Sequence, residues 1–207
     1  SDTELSYISN TVSSVIFGGT TMNATLNIGG RSWDYNTEFR TRSGAMNFNG
    51  VQNAGTKNLT IRTNTNLNFT NNLVGSGTLT IMGMATTTTM ALGDGQVGTL
   101  NLTNAKLAFI SDGWSNLIFG RTDGTATINV GARTWNDSVD LRSLGVISIN
   151  GAQNMGANNL VVRSNANPVI GAALNGTGNL TFQIISGNTS VGVGDAMVGT
   201  VNFTDAE

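Results

Sequence analysis

The chain has 207 residues, a formal net charge of −2 and only 11% charged residues. This composition excludes the basic surface typical of nucleic-acid binding, and no apolar run is long enough to insert in a membrane as a helix. Cysteine and histidine are absent, which removes disulfides, thiolate metal sites and the commonest catalytic bases and nucleophiles. The sequence therefore predicts no enzymatic activity and no cofactor.

Polar, uncharged residues dominate the composition. The chain contains 28 Asn, 29 Thr and 27 Gly. Thr favours strands, whereas Asn and Gly favour tight turns and left-handed corners. The combination predicts many short strands joined by short turns.

The chain is built from two copies of one unit. Residues 16–18 (IFG) recur as residues 118–120, an offset of 102, and Trp33 recurs as Trp135. One residue is then lost, and the offset becomes 101. We divide the chain into repeat 1 (1–102), repeat 2 (103–203) and the start of a third repeat (204–207), which matches residues 1–4. We expect the array to continue on both sides.

Short alternating segments follow one another along each unit. Alternation of apolar and polar residues places one side of a strand in a core and the other in water. In chain order these segments are 25–28, 59–61, 78–81 and 99–103 in repeat 1, and 147–149, 160–162, 180–182 and 201–203 in repeat 2. We expect the following side chains to point inward: Ile16, Leu26, Ile28, Leu59, Ile61, Leu79, Ile81, Ile118, Ile128, Val130, Leu160, Val162, Leu180 and Phe182.

Two all-β architectures fit this pattern. A right-handed parallel β-helix (a β-solenoid) with coils of roughly 20 residues divides each unit into about five rungs. Ten rungs at ~4.8 Å would form a rod of about 48 Å. The alternative is a tandem pair of β-sandwich domains. The unit boundary without a linker, the single Pro and the 6% aromatic content favour the solenoid.

Several stretches resemble a known family. They are LAFISDG (107–113), IFGRTDG (118–124), ATINV (126–130) and LNGTGNL (174–180). The chain resembles the large filamentous-haemagglutinin-like exoproteins of bacteria, which include two-partner-secretion exoproteins and autotransporter passengers. This resemblance implies a right-handed parallel β-helix, export to the cell surface or beyond, and a role in adhesion, aggregation or a surface filament.

We therefore expect a structural rod segment of a secreted or cell-surface bacterial adhesin. Its expected partners are neighbouring repeats of the same protein, head to tail, and cell-surface glycans or other cells. The alternative is a carbohydrate-binding solenoid that uses the faces around Trp33 and Trp135, each preceded by an arginine, Arg31 or Arg133. The same two tryptophans could instead fill the core at a corner.

Asparagines at the turns are candidates for stacked ladders. Such ladders pair side-chain amides from one rung to the next. The candidates are Asn49, Asn53, Asn58, Asn64, Asn150, Asn154, Asn159 and Asn165.

Other polar residues carry weaker hypotheses. Asp94 and Asp195 each follow a glycine, which fits either a calcium ligand or a turn in which the aspartate bonds its own backbone. Residues 86–89 are four threonines, but repeat 2 lacks the run, which argues against an ice-binding array. Asp137 and Asp140 are the nearest acidic pair, but Tyr35 replaces Asp137 in repeat 1, so no catalytic dyad is predicted.

Overall fold

Short parallel strands dominate the computed structural model, which describes residues 2–187, 189–194, 197 and 199–203. The elements are α1 (Asp2–Ser6), β1 (Ser14–Gly18), β2 (Leu26–Ile28), β3 (Arg31–Ser32), β4 (Asn36–Thr41), β5 (Met46–Phe48), β6 (Gln52–Asn53), β7 (Leu59–Thr63), β8 (Leu67–Phe69), β9 (Leu73–Val74), β10 (Thr78–Met82), β11 (Met90–Leu92), β12 (Leu100–Leu102), α2 (Asn104–Leu107), β13 (Asn116–Gly120), β14 (Ile128–Val130), β15 (Arg133–Thr134), β16 (Val139–Ser143), β17 (Ile147–Ile149), β18 (Gln153–Asn154), β19 (Leu160–Ser164), β20 (Val169–Ile170), β21 (Leu174–Asn175), β22 (Leu180–Gln183), β23 (Val191–Val193) and β24 (Val201–Phe203).

The strands form three parallel faces, which the chain visits in turn before it begins the next coil. In the part of the chain that the structure describes, the first face is one eight-stranded sheet, β1-β4-β7-β10-β13-β16-β19-β22. The second contains β2-β5-β8 and β12-β11-β14-β17-β20, and the third contains β3-β6-β9 and β15-β18-β21. The fold is therefore the parallel β-solenoid that the sequence predicts, and the pairing of β10 with β13 joins the two repeats in one sheet.

The number of coils is smaller than the sequence indicates. Most coils take 20–22 residues, as the pairing of Leu59 with Leu79 and of Leu117 with Val139 shows. The fourth coil is longer, because Leu79 pairs with Leu117, 38 residues later. Each repeat therefore adds four strands to the first face, and the stack has about eight turns, or about 38 Å of strand spacing. The prediction of five rungs per repeat is wrong because it assumed coils of equal length.

The extra residues of the long coil add a strand to the second face. They form β11 and β12, which pair in parallel although they lie only ten residues apart. Strand β12 contacts β8, and β11 pairs with β14 of the next coil. The helical turn α2 follows β12 and buries Leu107. Repeat 2 forms the same kind of pair from β23 and β24.

Most of the predicted core is confirmed, because alternate residues of each strand are buried between the three faces. The buried members of the predicted set that belong to this core are Ile28, Leu59, Ile61, Leu79, Ile81, Ile128, Val130, Leu160 and Val162. Leu26 is partly buried and packs against the core. Leu180 and Phe182 continue the inward rows of Leu160 and Val162 but are exposed, because β22 is the last strand of the first face among the described residues.

The predicted inward direction of Ile16 and of Ile118 is wrong. In β1 the partly buried residues that pack against the core are Val15 and Phe17, and Ile16 is 49% exposed. Ile118 lies in the same outward row, paired with Thr80 on one side and Asp140 on the other, although it is buried. An uninterrupted apolar run such as Val15-Ile16-Phe17 does not reveal which residues face inward.

Two corner glycines are required by the close approach of neighbouring coils. Gly18 and Gly120 have φ angles of 91° and 89°. A Cβ atom at these positions would lie 2.0 Å and 2.2 Å from the carbonyl oxygens of Arg40 and Arg142 on the next coil. Only glycine tolerates both the left-handed backbone and the short contact.

Candidate functional site

The tryptophan corners are part of the core. Trp33 and Trp135 are 5% and 4% exposed. Their Nε1 atoms donate hydrogen bonds to Oε1 of Gln52 and Gln153 at 3.1 and 2.8 Å. A platform for a sugar ring needs an exposed aromatic face, and these buried indoles do not provide one. Their position matches the other interpretation of the sequence, in which they fill the core at a corner.

The two arginines beside these corners also have structural contacts. The guanidinium groups of Arg31 and Arg133 lie over the neighbouring indoles, 5.5 and 4.9 Å from the ring centroids. Arg133 donates to Oδ1 of Asn104 at 3.4 Å and to the carbonyl of Leu107 at 3.2 Å. Burial lowers the pKa of Arg133. This side chain therefore connects the third face to α2.

Two buried glutamines, which were not among the predicted site residues, hold the tryptophan corners. Gln52 is 0% and Gln153 is 2% exposed. Besides accepting from tryptophan, Gln153 Nε2 donates to the carbonyl oxygens of Gly131, at 2.8 Å, and Gly151. Gln52 makes the equivalent bonds to Gly29 and Gly50. The available signal was the recurrence of Gln-Asn at the same place in each repeat.

A ladder of paired side-chain amides does exist, but at positions other than the predicted ones. Nδ2 of Asn47 donates to Oδ1 of Asn27, and Nδ2 of Asn68 donates to Oδ1 of Asn47, both at 2.8 Å. These residues are the central, outward residues of β2, β5 and β8. The ladder therefore lies on the second face and not at a turn.

Asn58 and Asn159 link successive coils through the backbone. Their Oδ1 atoms accept from the amide N–H groups of Thr78 and Asn179 on the next coil, at 2.9 and 2.8 Å. The N–H of Asn58 donates in turn to Oδ1 of Asn36 on the preceding coil, at 2.9 Å. The corner before the first face thus carries a chain of side-chain-to-backbone bonds in place of paired amides.

Asn64 and Asn165 act in the same way at the opposite end of the first-face strands. Oδ1 of Asn64 accepts from the N–H of Ala85 at 2.7 Å, and Oδ1 of Asn165 accepts from the N–H of Ile185 at 2.9 Å. Each bond joins a corner to the corner of the next coil. These asparagines therefore hold the spacing between coils.

The remaining predicted asparagines bond differently. Oδ1 of Asn53 and of Asn154 accepts within its own turn, from the N–H groups of Gly55 and Gly156, at 2.9 and 3.2 Å. Asn150 donates its side-chain amide to Oε1 of Gln96 at 2.8 Å, and the backbone carbonyl of Asn49 accepts from Nδ2 of Asn71 at 3.5 Å.

Charged residues cluster at two places on the outer side of the first face. In repeat 2, Asp140 lies between Arg142 and Arg163, with N–O distances of 2.7 and 3.0 Å. In repeat 1, Glu38 lies between Arg40 and Arg62. Each cluster bridges two adjacent strands, because Arg40 pairs with Arg62 and Arg142 with Arg163 in the sheet register. These clusters reinforce strand pairing.

The two carboxylates of Asp137 and Asp140 bond different partners and do not form a shared site. Asp140 bonds the two arginines, whereas Oδ1 of Asp137 accepts from the N–H of Gly113 at 3.0 Å. Burial raises the pKa of Asp137, the bond from Gly113 lowers it in part, and the charge of Asp112 raises it further. Among the described residues, no group of three or more acidic side chains could hold a metal ion.

Replacing Asp137 by Asn should stabilise the protein at neutral pH. A carboxyl group whose pKa is raised in the folded state destabilises the folded protein once it ionises. The stability of the protein therefore falls as the pH rises from the ordinary carboxyl pKa of 3.8 through the folded value. Thermal unfolding of D137N should therefore show a higher Tm than the wild type at pH 7, and this advantage should shrink towards pH 3.

Asp123 provides the control of opposite sign. A hydrogen bond from Arg121 lowers the pKa of Asp123, so D123N should lower the Tm at pH 7, although weakly because Asp123 is exposed. A Tm of D137N below that of the wild type at pH 7 would contradict the raised pKa of Asp137 in the folded protein.

The structure also shows the surroundings of Asp94 and of the threonine run, for which the sequence suggested weaker hypotheses. Oδ1 of Asp94 accepts from the N–H of Asn104 at 3.0 Å, which ties its turn to the start of α2. Asp195 lies outside the described residues. Residues 86–89 lie in the connection between β10 and β11, which belongs to the long fourth coil, so these threonines do not repeat from coil to coil.

Comparison with protein-family models, with curated proteins and with solved structures returned no match. None of the described helices has the length and apolar character needed to span a membrane.

Proposed function

We propose that the chain is a structural rod segment of a secreted or cell-surface bacterial adhesin or filament. The observation that supports this proposal best is the continuous eight-stranded parallel sheet, which runs through both repeats without a break. Each added coil lengthens such a stack by one strand spacing, about 4.8 Å.

The junction between the repeats supports a rigid rod. Strands β10 and β13 pair over four residues, from Thr78 with Asn116 to Ile81 with Phe119. At this junction Leu79, Ile81, Leu117 and Phe119 are all buried. Arg121 of repeat 2 also donates to the carbonyl of Met84 in repeat 1 at 2.7 Å. A junction packed like the interior of a repeat has no hinge.

The polar side chains support a structural role as well. Asparagines, glutamines and ion pairs are used mainly between adjacent coils, as in the bonds of Asn58, Gln153 and Asp140. Placement at the bacterial surface rests on the resemblance to filamentous-haemagglutinin-like exoproteins. The carbohydrate-binding alternative loses its main argument because Trp33 and Trp135 are buried.

The rod role can be tested by cell-surface display. Stalks of one, two and four copies of residues 103–203 would connect a membrane anchor to a peptide tag, and tag-binding beads would report how far the tag extends from the cell. The capture of beads should increase with each added unit. A flexible Gly/Ser linker with the same number of residues is the control, because its reach grows only with the square root of its length. If stalks and matched flexible linkers gave the same capture, the rod role would be wrong.

A further inference from the structure

We infer that the far end of one copy of this chain docks on the near end of a second copy in one defined register, that of the internal β10–β13 junction. This inference deepens the proposed rod function and rests on it for its biological use. Its physical basis does not depend on where the protein is located in or outside the cell, because it concerns only the two end surfaces of the stack.

The internal repeat supplies the template for this contact. An offset of 101 residues relates β10 to β22, and an offset of 102 residues relates β1 to β13. The internal pairs Leu79–Leu117, Thr80–Ile118 and Ile81–Phe119 therefore correspond to three pairs between copies. These pairs are Leu180 with Val15, Thr181 with Ile16, and Phe182 with Phe17.

The exposed surface at the far end is what such a contact would cover. Leu180 and Phe182 are 48% and 36% exposed, whereas their counterparts Leu79 and Ile81 are 1% and 0% exposed inside the stack. At about 25 cal/mol per Å² of apolar surface removed from water, covering side chains of this size favours association.

The near end shows the same contrast. Ile16 is 49% exposed, and its counterpart Ile118 is 9% exposed. Shallow apolar hollows open at both ends of the stack, as expected for an uncovered core. They are lined by Leu5, Phe17, Leu26 and Ile28 at the near end, and by Ile170, Leu174, Leu180, Phe182 and Phe203 at the far end.

The second face predicts the same docked arrangement. Internally, β11 pairs with β14 through Met90–Ile128 and Leu92–Val130. The repeat offsets convert these pairs into Val191 with Leu26 and Val193 with Ile28. Val193 is 71% exposed, whereas Leu92 is 1% exposed.

The third face agrees with the other two. An isolated bridge joins Leu73 to Ile110 across the internal junction, and the offsets place Leu174 opposite Ile8. All three faces of the internal junction therefore map onto the same contact between copies.

Within the described residues, the edge strands carry no charge or proline that would block the contact. Residues 204–207 match residues 1–4, so one of these two short segments must be displaced when the ends dock. The helical turn α1 is the counterpart of α2, which lies inside the stack with Leu107 fully buried. Strands β1 and β22 contain no charged residue, whereas exposed sheet edges are commonly protected by charges or proline. Both strands are edge strands among the described residues.

A disulfide cross-link tests the register directly. The chain has no cysteine, so Thr181→Cys with Ile16→Cys introduces one pair alone. Opposed residues on adjacent strands lie ~4.8 Å apart, within the Cα range of about 4.4–6.8 Å that a disulfide needs. Under mild oxidation at high concentration, this variant should form a ladder of dimers and longer multimers on a non-reducing gel.

Two controls make the result specific. Thr181→Cys with Ser14→Cys is out of register by two residues, roughly 8 Å between Cα atoms, and should form far fewer multimers. Thr80→Cys with Ile118→Cys reproduces the same geometry inside one chain and should form an intramolecular disulfide. If the internal control closes and the in-register pair forms no more multimers than the shifted pair, the inference is wrong.

A surface variant provides the second measurement. Leu180→Lys alters a half-exposed residue, so the folded monomer should persist with an unchanged circular dichroism spectrum. It should weaken self-association at least tenfold in sedimentation equilibrium, and unchanged association would also overturn the inference. These outcomes concern the purified chain alone, so a failure of the display assay with successful in-register cross-linking would reject the rod function and leave the docking intact.

Discussion

Replacing Ile149 by Asp lowers the free energy of unfolding by several kcal/mol, the largest effect expected of a single substitution in this chain. Ile149 is 0% exposed and lies between Val130 and Ile170 on the second face. The substitution removes a buried apolar side chain, whose burial contributes about 1.5–3 kcal/mol to the free energy of unfolding. It also places a carboxyl group in the apolar core, away from water. Urea unfolding followed by circular dichroism measures the loss.

The adjacent residue provides a matched control. Ser148 is the central, outward residue of the same strand, so Ser148→Asp introduces the same carboxyl group on the other side of the sheet. It should change the free energy of unfolding by about 1 kcal/mol or less. Equal losses for Ile149→Asp and Ser148→Asp would show that the inward row has been assigned incorrectly.

Replacing Gln153 by Ala should lower the free energy of unfolding by about 3 kcal/mol. The side chain accepts from Trp135 and donates to the carbonyl oxygens of Gly131 and Gly151. Its removal leaves buried polar groups without partners, and each costs about 1–3 kcal/mol, less where water enters the cavity. Urea unfolding followed by circular dichroism measures the loss.

A double-mutant cycle identifies the origin of this loss. Trp135→Phe removes the indole N–H, so Gln153→Ala should cost less in that background than in the wild type. Asn154→Ala is the positional control, because the side chain of Asn154 accepts its hydrogen bond from Gly156 within its own exposed turn, and its effect should be smaller. A loss for Gln153→Ala that is unchanged by Trp135→Phe would exclude the buried hydrogen bond as a contributor.

The fold class was predictable because the repeat and the alternation are both local signals. Segments such as Leu59-Thr60-Ile61 alternate clearly, and the offsets of 101–102 residues predict that equivalent strands stack in the same way. The few aromatic residues and the unit boundary without a linker were sufficient to favour a solenoid over paired sandwiches.

The coil count was not predictable from an average coil length. The fourth coil contains a parallel strand pair and a helical turn between Met90 and Leu107, and parallel pairing after only ten residues has no distinctive pattern in the sequence. The direction of Ile16 was equally hidden, because both neighbouring side chains are apolar. Packing between coils determines both the number of coils and the direction of Ile16.

The sequence predicted that asparagines at the corners join successive coils, but it did not predict which groups they bond. Asparagines do join successive coils, as Asn58 and Asn159 show, but most bond the backbone, because an amide N–H at a corner lacks a ladder partner. Paired amides occur at Asn27, Asn47 and Asn68, where strand register places identical side chains opposite each other. Sequence spacing alone does not distinguish these two environments.

One distance tests the continuous stack of four coils per repeat most directly. Spin labels at Thr60→Cys and Val161→Cys occupy outward positions on β7 and β19, which are separated by four steps along the first face. Pulsed electron paramagnetic resonance should give a narrow distribution corresponding to a backbone separation of about 19 Å, four strand spacings. A separation of about 24 Å would indicate five coils per repeat. A broad distribution at longer distances would show that the two repeats are separate domains, and would contradict the rod.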